Sequence, residues 1–95
     1  MVHSITYDLH APGRSYGDVI GAIKRKAGDG MYASALESVW FVDTLDDTAT
    51  WTDFLTAHVD GNDELFVGRI QARSWASMRM DDKAAEWLKS PGRRW

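Results

Sequence analysis

Hydrophobic periodicity changes along this chain in the order strand, helix, two strands, helix, strand, and few folds accept that order. Val2 to Leu9 open the series, with Ile5, Tyr7 and Leu9 on one face and Ser4, Thr6 and Asp8 on the other. A turn follows at His10-Ala11-Pro12-Gly13-Arg14, because proline fixes φ and glycine frees it. Ser15 with Asp18 reads as a capping box. Tyr16, Val19, Ile20, Ile23 and Ala27 then recur at helical spacing and predict a helix from Tyr16 to Ala27. Gly28-Asp29-Gly30 ends it.

The clearest strand is Glu37 to Asp43. Val39 and Phe41 face one way, Trp40 and Val42 the other, and both faces are apolar, as in a central strand covered on both sides. Met31 to Leu36 reads as a shorter strand joined to it by a tight hairpin or a bulge. Thr50 with Asp53 forms a second capping-box pattern, and Trp51, Phe54, Leu55, His58 and Val59 line one side of the helix behind it. Asp60-Gly61-Asn62-Asp63 is a turn, and Leu65 to Gln71 a strand. Ala72 to Met80 is irregular or a short edge strand, and Asp81 to Lys89 a last helix stopped by Pro91-Gly92.

That order predicts a ferredoxin-like βαββαβ sandwich of the α+β class over residues 1–72, followed by a C-terminal extension over 73–95. Right-handed crossovers place both main helices on one face of an antiparallel sheet. The other face is left bare, although its strands look apolar on that side too, so something must cover it. The tryptophan-bearing tail is one candidate. A second copy of the chain is the other and the one expected here, so a homodimer is the anticipated state.

Size and charge narrow the function. A chain of 95 residues is one domain, with net stability of about 5–10 kcal/mol. It has no cysteine, which excludes disulfide scaffolds, thiolate zinc sites and cysteine nucleophiles. No apolar run approaches a membrane span and the N-terminus lacks a basic signal region, so a cytoplasmic protein without a membrane partner is expected. The net charge of −3 argues against unspecific nucleic-acid binding, but the charge is segregated. Between Ala27 and Gly68 there are nine acids and no Lys or Arg, whereas Arg69 onward is basic. Lys24-Arg25-Lys26 is a second basic knot. A solvated surface of mixed charge explains this; so does a basic face for phosphates, to which Arg14, Lys24, Arg25, Arg69, Arg73 and Arg79 would contribute.

Asp8 is where the readings divide. By spacing alone it opens the turn, its side chain bonding backbone N–H groups. A carboxylate at a strand end beside a glycine turn also suits a divalent cation. One carboxylate per chain is a poor site; two joined by a twofold axis suffice for Mg²⁺, which could activate water for phosphodiester hydrolysis. His3, His10 and His58 show no metal spacing, though His10 lies close enough to carry a proton near neutral pH. Trp75 and Trp95, set among the basic tail residues, can stack on bases or cap the bare sheet.

Ile5-Thr6-Tyr7-Asp8-Leu9, the helix after it, Leu36-Glu37-Ser38-Val39-Trp40-Phe41-Val42 and Asp63-Glu64-Leu65-Phe66-Val67 together resemble a known pattern. They resemble the small ferredoxin-like nuclease family of CRISPR adaptation systems, whose dimer is the central partner of the spacer integrase. The chain is similar, more closely, to short bacterial and phage proteins labelled SinR-family. The resemblance implies a homodimer in which Asp8 matches the family's metal-binding and catalytic aspartate. It leads to the expectation of a nucleic-acid-handling protein, a Mg²⁺-dependent nuclease. The alternative is a non-catalytic homodimeric module that binds itself or another protein.

Overall fold

The computed structural model describes residues 1–10 and 16–95. Arg14, most of the turn expected after His10, and the Ser15 capping box lie outside the described residues. The elements run β1 (Val2–Asp8), α1 (Tyr16–Ala27), β2 (Tyr32–Leu36), β3 (Val39–Asp43), α2 (Thr48–Thr56), β4 (Glu64–Ile70) and α3 (Asp82–Lys89). The four strands form one sheet in the order β2-β3-β1-β4, with every neighbouring pair antiparallel. This is a small α+β domain.

Alternation along β1 sorts its side chains as expected. Ile5, Tyr7 and Leu9 join Val19, Ala22 and Ile23 of α1, Trp40 and Val42 of β3, and Trp51 and Leu55 of α2 in one buried core. Both α1 and α2 therefore lie on this face. Lys24 at the end of α1 still accepts at its carbonyl from the Gly28 N–H at 3.0 Å, and Gly28 takes φ 88°, a left-handed value that glycine adopts without a Cβ clash.

The opposite face carries a second core of Val2, Ala35, Phe41, Ala84 and Leu88, with Trp75, Trp87 and Trp95 packed against it. The chain's own C-terminal segment thus takes part of the face that a second copy was expected to cover. Asp43 anchors that segment. Its carboxylate is wholly buried and accepts from Arg94 Nε at 2.9 Å and from the Arg94 backbone N–H at 3.1 Å, with Arg93 Nη1 at 3.7 Å. A buried carboxylate requires such partners. The amino group of Met1 donates to the Thr44 carbonyl beside it, and desolvation holds its pKa below the ordinary value.

The largest departures from the expected boundaries are at the β2–β3 hairpin and at the two ends of α2. Glu37 and Ser38 do not belong to the strand of Val39–Asp43; they form the turn of the β2–β3 hairpin, while Ser38 still accepts from the Tyr7 N–H at 3.2 Å. The hairpin and the bulge left as alternatives are both present, since the β2–β3 register shifts between Ser34 and Leu36. Helix α2 begins earlier than the Thr50 pattern implied: Asp47 is the N-cap and accepts from the Thr50 N–H at 2.8 Å. His58 consequently lies past the end of α2, its ring 5.3 Å from that of Phe54.

Candidate functional site

The end of β1 sets the site. Because β1 and β4 pair antiparallel, Asp8 lies directly opposite Glu64, and Thr6 opposite Phe66. Two like charges facing each other across a ladder are unfavourable, so a positive group between them is stabilising. His10 lies beside this pair: its Nε2 is 3.2 Å from Glu64 Oε1. The His10 backbone N–H donates to Asp63 Oδ1 at 2.8 Å, and Asp63 Oδ2 accepts from the Asp60 N–H at 2.7 Å. The turn before β4 thereby positions the imidazole.

Asp8, His10 and Glu64 are all exposed, and one ligand atom from each lies within 4.8 Å of the others. Two carboxylate oxygens and an imidazole nitrogen are a suitable donor set for a divalent cation whose remaining positions are taken by water. A shallow cavity of about 260 Å³ adjoins them, lined by Thr6, Tyr7, Asp8, Glu64, Leu65 and Phe66. Tyr7 is not a proton donor for this corner at neutral pH. Its phenol is buried beneath the site, accepts from Trp40 Nε1–H at 3.2 Å, and burial raises its pKa further.

The residues expected to contact nucleic acid do not form one surface. Lys24 and Arg25 stand on α1, with Lys24 Nζ 5.8 Å from the ring centre of Tyr32 on the β2 edge. Arg69 lies on β4, at the opposite edge, and donates to the Trp95 backbone oxygen at 2.7 Å. Arg73 and Arg79 are exposed and take left-handed backbone angles, φ 64° and 58°. Arg93 and Arg94, grouped with the basic tail by sequence, are committed to Asp43.

Glu64 and its orienting neighbour Asp63 were missed as partners of Asp8. The signal for them is topological: once β4 is placed antiparallel to β1, the residue that opens β4 must face the residue that closes β1. Asp43 was also missed, although an acid ending a strand that is apolar on both faces already calls for a buried cation. No helix among the described residues is long and apolar enough to cross a membrane. Comparison with protein-family models, with curated proteins and with solved structures yields no match.

Proposed function

We propose that this chain is a dimeric nucleic-acid-handling protein of ferredoxin-like fold, whose Asp8, His10 and Glu64 corner takes a divalent cation for phosphodiester hydrolysis. The observation that carries this reading is the convergence of the three side chains within 4.8 Å at the end of β1. The second carboxylate, which sequence reasoning sought from a twofold partner, is available within the same chain as Glu64. Oxygen donors suit Mg²⁺, and the imidazole adds preference for Mn²⁺. Such a cation would polarise a phosphoryl oxygen and lower the pKa of bound water. The chain's own residues have distinct parts. Asp8 and Glu64 would supply the oxygen ligands, and His10, its backbone fixed through Asp63, the nitrogen ligand.

The fold assignment is supported by the sheet order, which read from the other edge is β4-β1-β3-β2, and by the shared core of α1 and α2. The dimer is supported by the apolar side chains that the tail leaves uncovered. Phe66 is 67% exposed and Leu36 55%; Phe66 pairs with Thr6 and Leu36 with Val39, on the face that also carries Asp8. Pairing through that end of the sheet would bring two Asp8 corners near one another. Membership of the CRISPR-associated nuclease superfamily is part of the proposal, and rests on the Tyr7-Asp8 strand end and on the Ser38-Val39-Trp40 sequence that leads from the hairpin turn into β3.

One observation favours the alternative of a non-catalytic homodimeric interaction module. His10 already pairs with Glu64 at 3.2 Å and with Asp63, so the corner also serves simply to tie the end of β1 to the turn before β4. Cleavage of RNA and DNA in the presence of Mg²⁺ or Mn²⁺ separates the two. The proposal expects cleavage by the wild type and none by Asp8→Ala. Equal rates for both, or a stable dimer with no salt-dependent nucleic-acid binding, would favour the interaction module.

A further inference from the structure

At the other end of the sheet, beyond Ile70, the tail folds back to leave a groove of about 770 Å³. Six strand residues of roughly 3.3 Å separate this end of β1 from Asp8, about 20 Å. The charged side chains lining the groove are Arg73, Lys89 and Arg93, and no Asp or Glu lines it among the described residues. Arg93 is countered by Asp43, whose Oδ2 lies 3.7 Å from its Nη1, so the positive field at the groove comes from Arg73 and Lys89. Trp75 and Trp95 also line it, each half-buried and packed against the second core.

Arg93 and Arg73 border the groove in different ways. Arg93 has a side chain only 9% exposed, its guanidinium lies 4.0 Å over the Trp87 ring, and its Nη1 donates to the Gly30 carbonyl at 3.3 Å. With Asp43 as its counter-charge 3.7 Å from Nη1 it forms a fixed wall of the groove, and its Nε–H is buried without a hydrogen-bond partner among the described residues. Arg73 occupies the third position of the turn in which Ser74 N–H donates to the Gln71 carbonyl at 3.1 Å, with φ 64°. That position favours glycine or asparagine.

We propose that this groove binds a nucleoside phosphate: the phosphate between the exposed Arg73 and Lys89, the base on the indole of Trp75 or Trp95. A bare anion would make no use of the indoles, and an uncharged ring would make none of the two exposed cations. Base stacking on aromatic side chains beside a positive groove is how single strands and nucleotides are held without sequence readout. The site stands apart from the cation corner and does not depend on it.

The test is titration of the full chain with adenosine 5′-monophosphate, with a 5′-phosphorylated octathymidylate, with adenosine and with inorganic phosphate, followed by calorimetry and tryptophan quenching. At least one of the first two should bind, and both adenosine and phosphate should bind more weakly than it. A preference for the oligonucleotide identifies a single strand as the source, and a preference for the monophosphate a free nucleotide. Arg73→Gly keeps the turn and removes the charge; it should retain or raise Tm while weakening binding at least about tenfold. Lys89→Gln, on the exposed end of α3, should weaken it too, while Lys83→Gln, on the same helix but outside the groove, should bind as the wild type does. Failure of both nucleotides to bind, wild-type affinity in Arg73→Gly, or equal affinity for phosphate alone would overturn the proposal.

Discussion

Asp43→Ala tests how the tail is held. The carboxylate is fully buried, takes two hydrogen bonds from Arg94 and faces Arg93, whose side chain is only 9% exposed. Removing it leaves the Arg93 charge buried without its counter-charge. Breaking a buried pair in this way costs about 3–5 kcal/mol. Arg94 is 42% exposed, so water reaches half of the cluster and the lower end applies, about 3 kcal/mol. For a domain of this size that is a fall in Tm of roughly 12–24 °C. Asp43→Asn preserves the shape and one acceptor but not the charge, so most of the loss should remain. Urea unfolding followed by tryptophan fluorescence and by far-ultraviolet circular dichroism measures both variants. A loss below about 0.5 kcal/mol for Asp43→Ala would refute the claim that this carboxylate clamps the tail.

Three further expectations follow from individual contacts. The Thr50 backbone N–H, and then its hydroxyl, hold Asp47 below its ordinary pKa of 3.8; a depressed folded-state pKa stabilises above that value and is lost as pH falls through the folded one. Acid unfolding should therefore be less steep below about pH 4 in Asp47→Ala, and an unchanged acid limb would remove Asp47 from the account. A Cβ on Gly68 would lie 2.8 Å from the Phe66 ring, but that ring is largely exposed and can swing aside, so Gly68→Ala should cost less than about 1 kcal/mol. In a Phe66→Ala background the cost should vanish, and a double-mutant cycle without coupling would contradict the contact. A chain ending at Ala72 strips the cover from Val2 and Phe41 and should aggregate or unfold at room temperature; a monomer with unchanged Tm would show that the tail is dispensable.

The order of strands and helices was legible because each element carries its own period. Ile5, Tyr7, Trp40, Val42, Ile23 and Leu55 all reach the core that their spacing implied. The hairpin turn was not legible, because Glu37-Ser38 precedes a strongly apolar run and carries no glycine or asparagine to mark it. The start of α2 was hidden by competing caps, since Asp46, Asp47, Thr48 and Thr50 are all acceptable at an N-terminus. Of the candidate site, Asp8 and His10 could be singled out locally. Glu64 could not, because it lies 54 residues from His10 and joins the site only through strand pairing. The basic tail was read as a surface, whereas two of its arginines lie on a buried acid. Charge counts along a sequence do not reveal which charges are already paired.

The central claim is that Asp8, His10 and Glu64 together hold a divalent cation. Calorimetric titration with Mn²⁺, read alongside the paramagnetic signal of free Mn²⁺, tests it without requiring any substrate. The account predicts one ion bound per chain in the wild type, lost in Asp8→Ala and in Glu64→Gln, and weakened in His10→Ala. No uptake by the wild type, or equal uptake by wild type and Asp8→Ala, would contradict it.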